Sequence, residues 1–160
     1  MRRLGLLGLG LILVTGSRAF AQNSEEAAIR RITAEQVAAW NAGDGKGYAA
    51  NVGKDVSFTN LFGMVMYGRT AFEQRQSDIL STFYKGTTKS HVIRRIRFIT
   101  PDVAIVDIDN EVRGVRLMPG GIAVPKDGVI KTQLMEIFVK RSGRWVIEAY
   151  HNVDVKPAAK

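Results

Sequence analysis

The period of apolar positions changes along this chain, and the changes divide it into elements. From Asn23 to Trp40 the spacing is helical, with Ile29, Ile32, Gln36 and Trp40 on one stripe and Arg30, Glu35 and Ala39 turned away. Asn23 and Glu26 have capping-box spacing. The segment stops in NAGDG, where Gly43 supplies a left-handed terminus and Asp44 can cap a short second helix, DGKGYAANV. VSFTN, residues 56 to 60, and GMVMYGR pair as a hairpin across LFG. TAFEQRQSDILSTFY returns to the helical period, with Thr70 and Glu73 in capping-box spacing, Phe72, Gln76, Ile79 and Phe83 on one stripe, and Gly86 beyond its end. After that the period is two. SHVIRRIRFIT, DVAIVDIDNEVRGV, VIKTQLMEIFV and RWVIEAYHNV are four extended segments, the last two joined by the tight turn SGR. Helices followed by a meander predict an α+β domain with the helices on one face of a mostly antiparallel sheet.

Some strands are apolar on both faces. VIKTQLMEIFV divides into Val129, Lys131, Gln133, Met135, Ile137, Val139 and Ile130, Thr132, Leu134, Glu136, Phe138, and neither set is the polar one expected of a wet face. One face therefore meets the helices, and a homodimer through the open sheet face is expected to cover the other. The connection at residues 113 to 128 is long for a strand-to-strand turn. Its Pro119-Gly120-Gly121 predicts a hairpin arm presenting Leu117, Met118 and Ile122, placed as a flap over a cavity or as an arm over a dimer partner.

The first 21 residues have a different pattern. Arg2 and Arg3 precede an apolar run from Leu4 to Val14, and Ala19-Phe20-Ala21 has the small-x-small form of a signal-peptidase site. Residues 1 to 21 thus read as a signal peptide, and residues 22 to 160 as one exported domain, periplasmic or secreted. The run is about half the ~20 residues a spanning helix needs, so no membrane anchor is expected. Losing Arg2, Arg3 and Arg18 from 23 basic residues leaves 20 against 15 acidic ones, a moderately basic surface. No basic run with interleaved aromatics marks a nucleic-acid site. The chain contains no cysteine, so its own core must stabilise it.

The order of helix, AAWNAGD, short helix, DVSFTN, hairpin, TAF helix and four strands ending in GRWVIEAYHNV resembles the nuclear transport factor 2-like superfamily. Among its members the chain looks most like the SnoaL-like and SgcJ/EcaC groups of small bacterial proteins, from about Glu25 to Val153. The resemblance implies a cone, with three N-terminal helices packed in a curved mostly antiparallel sheet around an apolar cavity open at one end. Relatives use that cavity for isomerases, dehydratases, cyclases and hydrolases, and some for no chemistry, so the fold alone assigns no activity. Ketosteroid isomerases of this shape use a carboxylate base at the end of the first strand with a tyrosine and a protonated acid. Here those positions fall at Asn60, Gln36 and Met135, and the isomerase triad is absent.

The candidate site follows from these placements. His151 shares the alternating set of Trp145, Ile147, Ala149 and Val153 and is the expected general base if that face looks inward; a bulge would exchange it with Asn152. Gln36, Trp40, Tyr48, Phe58, Asn60, His91, Met135 and Asn152 are the expected ligand-binding set. No metal-ligand spacing occurs between His91, His151 and the carboxylates, and no phosphate loop or dinucleotide fingerprint implies a cofactor. Arg94, Arg95 and Arg97 are expected to make cross-strand pairs with Asp107, Asp109 or Glu111. The first functional expectation is an exported protein binding a small hydrophobic or aromatic molecule. The alternatives are a cavity enzyme with His151 as base and a non-catalytic dimerisation module.

Overall fold

The computed structural model describes residues 13–155, with side chains from residue 22 onward. The expected signal peptide, residues 1 to 21, therefore lies outside the described side chains. Helix α1 runs Leu13–Asn41, α2 Gly45–Tyr48 and α3 Arg69–Ser81. The strands are β1 Val52–Thr59, β2 Val65–Tyr67, β3 Thr88–Thr100, β4 Val103–Arg113, β5 Val129–Arg141 and β6 Arg144–Asp154. They form one sheet in the order β2-β1-β6-β5-β4-β3. Only β1 and β6 are parallel; the other neighbours are antiparallel. Among the described residues no helix is long and apolar enough to cross a membrane.

The α+β class is as expected, but the helices are not all N-terminal. Two precede the first strand and α3 follows the β1–β2 hairpin. Helix α1 also begins before Asn23, so the Asn23–Glu26 pair lies inside it, and Glu26 instead accepts from Arg30 one turn on at 2.6 Å. Likewise Thr70 lies within α3, whose N-cap is Gly68 at φ 85° with no side-chain cap. In both cases the polar pair is displaced because helical backbone continues past it and uses the preceding carbonyls. Asp44 behaves as expected and accepts from the Gly47 N–H at 2.8 Å. Gly43 takes the left-handed conformation at φ 71° that ends α1.

The helices and the inner sheet face share one apolar core. Ile29, Ile32 and Trp40 of α1 meet Phe72 and Ile79 of α3 and the inward side chains of the strands, including Val56, Ile108, Leu134, Phe138 and Ile147. α2 approaches α3 so closely that a Cβ on Gly45 would lie 2.6 Å from the Ser77 Cα. Residues 113 to 128 do not form the expected strand arm. They make an irregular connection with a 3-10 turn at Pro119–Gly121, held near its base by the Val115 N–H to the Gly128 carbonyl at 3.0 Å. Val115 and Met118 tuck beneath it, while Leu117 and Ile122 stay exposed. The glycines explain the failure of pairing, since Gly114, Gly120, Gly121 and Gly128 all take positive φ.

Register shifts in β6 and β3 decide which of their side chains look inward. In β6 the consecutive partners Ile137 and Phe138 face Ala149 and Ile147, so Glu148 is the extra residue. Gly53 of β1 admits it, because a Cβ there would come within 2.6 Å of the Glu148 carboxylate. The inward set accordingly changes from Trp145 and Ile147 to Tyr150 and Asn152, and His151 is turned outward. In β3 a register shift between Ile93 and Arg95 does the same at the strand middle.

Candidate functional site

A cavity of about 50 Å³ opens at the end of the cone between α1, α3 and the inner sheet face. Trp40, Phe58, Phe62, Tyr84 and Tyr150 give it aromatic walls on several sides. Trp40 lies edge-on to Tyr48 at 5.6 Å and beside Tyr84 at 5.5 Å, and Phe58 packs against Tyr150 at 5.2 Å. Leu61 and Phe62, at the tip of the β1–β2 hairpin, close the outer end and also border a wider surface trough beneath the 113–128 connection. The hairpin tip is shaped by Asn60, whose side-chain oxygen accepts from the Phe62 and Met64 N–H groups at 2.9 and 3.0 Å. Asn60 thus lines the cavity, with its oxygen engaged by the loop rather than left to a ligand.

Polar groups are concentrated on the sheet side. Lys89, from the start of β3, is buried and donates from Nζ to the Tyr48 hydroxyl at 2.7 Å. The same nitrogen lies 4.1 Å from the centre of the Trp40 ring and 4.7 Å from that of Tyr48. The Tyr48 hydroxyl meets that of Tyr150 at 3.1 Å, which carries the chain of contacts back to the cavity wall. Asn110 donates to Thr132 at 2.8 Å, and its oxygen is close enough to His91, its partner on β3, to favour the charged imidazole, although no atom pair between them reaches hydrogen-bond geometry. The Asn152 oxygen and the Tyr84 hydroxyl are buried without a protein partner, and Asn110, Asn152 and Tyr84 all line the cavity.

Behind this wall lies a second ionisable group. Glu136 of β5 is fully buried and sits directly across from Tyr150 in the β5–β6 register. Gln36 of α1 is close enough to favour its charged form, although no atom pair between them reaches hydrogen-bond geometry. Burial pushes the Glu136 carboxyl up to about 7, with Gln36 and then Lys89 pulling it back. Burial pushes the Lys89 ammonium down to about 7, with Glu136 opposing. Burial thus disfavours the charged form of both groups, and each charge partly offsets that for the other. Tyr48 and Tyr150 are both raised, chiefly by burial, and stay protonated. His91 is held down at about 3 by burial and by the charge of Lys89, with Asn110 opposing, and is neutral.

The expected site residues divide accordingly. Gln36, Trp40, Tyr48, Phe58, Asn60, His91 and Asn152 all point into the cone, although Tyr48 and Gln36 lie behind the cavity and His91 beside it. His151 does not. The Glu148 bulge places it exposed on the outer face beside Met135, its direct partner on β5. The cavity therefore cannot use the His151 imidazole as its base. Met135 is likewise 45% exposed and outside the cavity, because the inward set of β5 is the one carrying Glu136. Lys89, Glu136 and Tyr150 are the residues sequence reasoning missed. A signal existed for Glu136, a lone acid alternating with Ile130, Leu134 and Phe138. Lys89 had a weaker one, alternating with His91 and Ile93. Arg94 pairs with Asp109 as expected of a solvated strand face. Among the described residues no three His, Asp or Glu side chains gather as metal ligands would.

No protein-family model matches the chain, and no curated protein sequence does. Solved structures do. An uncharacterised protein with a cystatin-like fold from Caulobacter vibrioides is 26% identical, over 82% of this chain and 90% of that one, with a TM-score of 0.75. This chain has the nuclear transport factor 2-like fold. An NTF-2-like protein of unknown function from Shewanella oneidensis matches over 81% and 99% of the two chains, at 16% identity and a TM-score of 0.65. A type 2 hexachlorocyclohexane dehydrochlorinase, LinA, matches over 86% and 90%, at 15% identity and a TM-score of 0.73. Neighbours of this nuclear transport factor 2-like chain thus include an enzyme and proteins without an assigned function.

Proposed function

We propose that this chain binds a compact organic molecule carrying oxygen groups, seated against aromatic walls with Lys89, Asn110 and Asn152 fixing its orientation. The observation that carries this reading is that one cavity is lined by a buried lysine and by Tyr84 and Asn152, each with a buried polar atom that has no protein partner. Each such atom costs about 1–3 kcal/mol unless something satisfies it. A purely structural module would be expected to fill these positions with aliphatic side chains. The small cavity and polar wall narrow the expected hydrophobic ligand to a small, partly polar one, since drug-sized ligands occupy roughly 300–1,000 Å³.

A thermal-shift screen of the protein against small alcohols, carbonyl compounds, phenols and carboxylates tests this. A ligand present at about 100 times its dissociation constant should add about 2.7 kcal/mol of stability. Asn152→Leu should abolish that gain, because it removes a cavity acceptor at a position tolerant of an apolar side chain. A broad panel without a hit would favour the non-catalytic module.

The outer sheet face supports a second copy of the chain as its partner. Val92, Met135 and Val153 are 60%, 45% and 53% exposed there, and His151, Gln133 and Asp107 edge a shallow hollow between β4, β5 and β6. A dimer in light scattering at micromolar concentration is the expected result, and a monodisperse monomer would remove it.

A further inference from the structure

We propose that Lys89 captures small hydroxy-carbonyl compounds as a reversible imine, an activity that deepens the cavity reading and rests on it. Three features of the geometry support the step. First, Lys89 lines the cavity, and its amine is held in place between the Tyr48 hydroxyl, at 2.7 Å, and the Trp40 ring, at 4.1 Å. A fixed, desolvated amine is the arrangement in which lysine acts as a nucleophile. Second, a hydroxyl relay reaches that nitrogen from the cavity, through Tyr150 and Tyr48 at 3.1 Å. Third, the oxygen of Asn152, which lines the cavity, can accept a hydrogen bond and has no protein donor, so a hydroxyl on the ligand satisfies what an unadorned carbonyl compound would leave unmet.

The chemistry closes without a co-reactant. The Lys89 nitrogen lone pair forms a bond to the carbonyl carbon, and the π pair of the C=O bond moves to oxygen, which takes up a proton while the nitrogen gives one up. The C–O bond of this carbinolamine then breaks. Its hydroxyl leaves with a second proton as water, and the nitrogen lone pair closes the C=N bond; the imine nitrogen loses its remaining proton. One amine and one carbonyl give one imine and one water, with no change of oxidation state. Tyr48 touches the nitrogen throughout and relays these protons, and its burial keeps it protonated. The amine is available because burial holds Lys89 at about 7, so a substantial fraction is neutral at physiological pH, with Glu136 as the opposing charge. The groups facing Lys89 are Tyr48 on α2, His91 on its own strand, Glu136 on β5 and Tyr150 on β6. The cavity volume limits the ligand to a few heavy atoms.

The test uses the full chain, glycolaldehyde as the probe and sodium cyanoborohydride to reduce any imine at pH 7, followed by peptide mapping. Lys89 is expected to be labelled at least about tenfold faster than the exposed lysines, a preference that disappears in urea. Tyr48→Phe should slow labelling at Lys89 without moving it to other sites, and the neutral form Lys89→Met should show only the surface background. Ethylene glycol, which offers the hydroxyls but no carbonyl, separates this inference from the cavity reading. If it shifts the side-chain amide resonances of Asn110 and Asn152 while Lys89 is labelled no faster than the surface lysines, the imine is overturned and the cavity stands. If glycol and aldehyde both leave those resonances unmoved and Lys89 unlabelled, both readings fall.

Discussion

Lys89→Met is expected to make the protein more stable at pH 7, by about 3 kcal/mol. Lys89 titrates at about 7 in the fold and near 10.5 when solvated, chiefly because burial removes water from the ammonium. Between those values the unfolded chain holds a proton that the folded chain has released, so wild-type stability from this group rises with pH. The full penalty is present below pH 7. Methionine has nearly the same length, packs against Trp40 and Tyr48, and carries no charge to desolvate. Its gain should be largest at and below pH 7 and shrink to under about 1 kcal/mol by pH 10. The loss of the Tyr48 hydrogen bond and of the charge opposite Glu136 keeps the gain below the simple linkage value. Urea denaturation at pH 7, 8.5 and 10 measures it. A variant less stable than wild type at pH 7, or a gain independent of pH, would refute the assignment of Lys89 as a desolvated amine.

Glu136→Gln carries the opposite pH signature. The folded carboxyl titrates at about 7 and the solvated one at 4.5, raised by burial. Folded wild type therefore holds a proton that the unfolded chain has lost, and the stability this provides is complete below pH 4.5 and lost as pH rises through 7. Glutamine is isosteric and neutral. It should match wild type at pH 4 and exceed it by about 3 kcal/mol at pH 8. His91, held down at about 3, acts with the reverse slope between that value and 6.5, but it is common to both proteins and cancels in the comparison. An equal difference at pH 4 and pH 8 would show that Glu136 is not the group titrating in the core.

Stability alone gives no reason to bury an ammonium and a carboxylate that do not form a direct ion pair, since apolar residues of similar volume would serve at least as well. Sites for proton transfer or nucleophilic attack do require such groups. Lys89 lines the cavity, whereas Glu136 lies behind it and acts on Lys89 through its charge.

Much of the fold was legible because period reports local geometry directly. The stripe Ile29, Ile32, Gln36 and Trp40 is the buried face of α1, and Ile79 and Gln76 lie on that of α3. The SGR turn also formed, with Ser142 and Gly143 at positive φ between paired Arg141 and Arg144. The candidate site was legible only in part. Gln36, Phe58 and Asn60 lie inward, as the stripe or strand that carries each predicts, but His151 and Met135 lie on the outer face. Strand alternation has a period of two, so a single extra residue inverts every inward assignment beyond it. Glu148 is that residue, and nothing in WVIEAYHN distinguishes a bulge there from a regular strand.

By itself the sequence determined the three helices and the main strands, their order, the α+β class and the apolar stripes, because each depends on neighbours within a few positions along the chain. The tertiary structure alone decided that β1 lies parallel to β6, that Glu148 is squeezed out opposite Gly53, and that Lys89 and Glu136 meet Tyr48 and Tyr150 in one buried cluster. Those contacts join residues up to about a hundred positions apart, and their protonation is set by the water that packing excludes, a quantity that no local pattern contains.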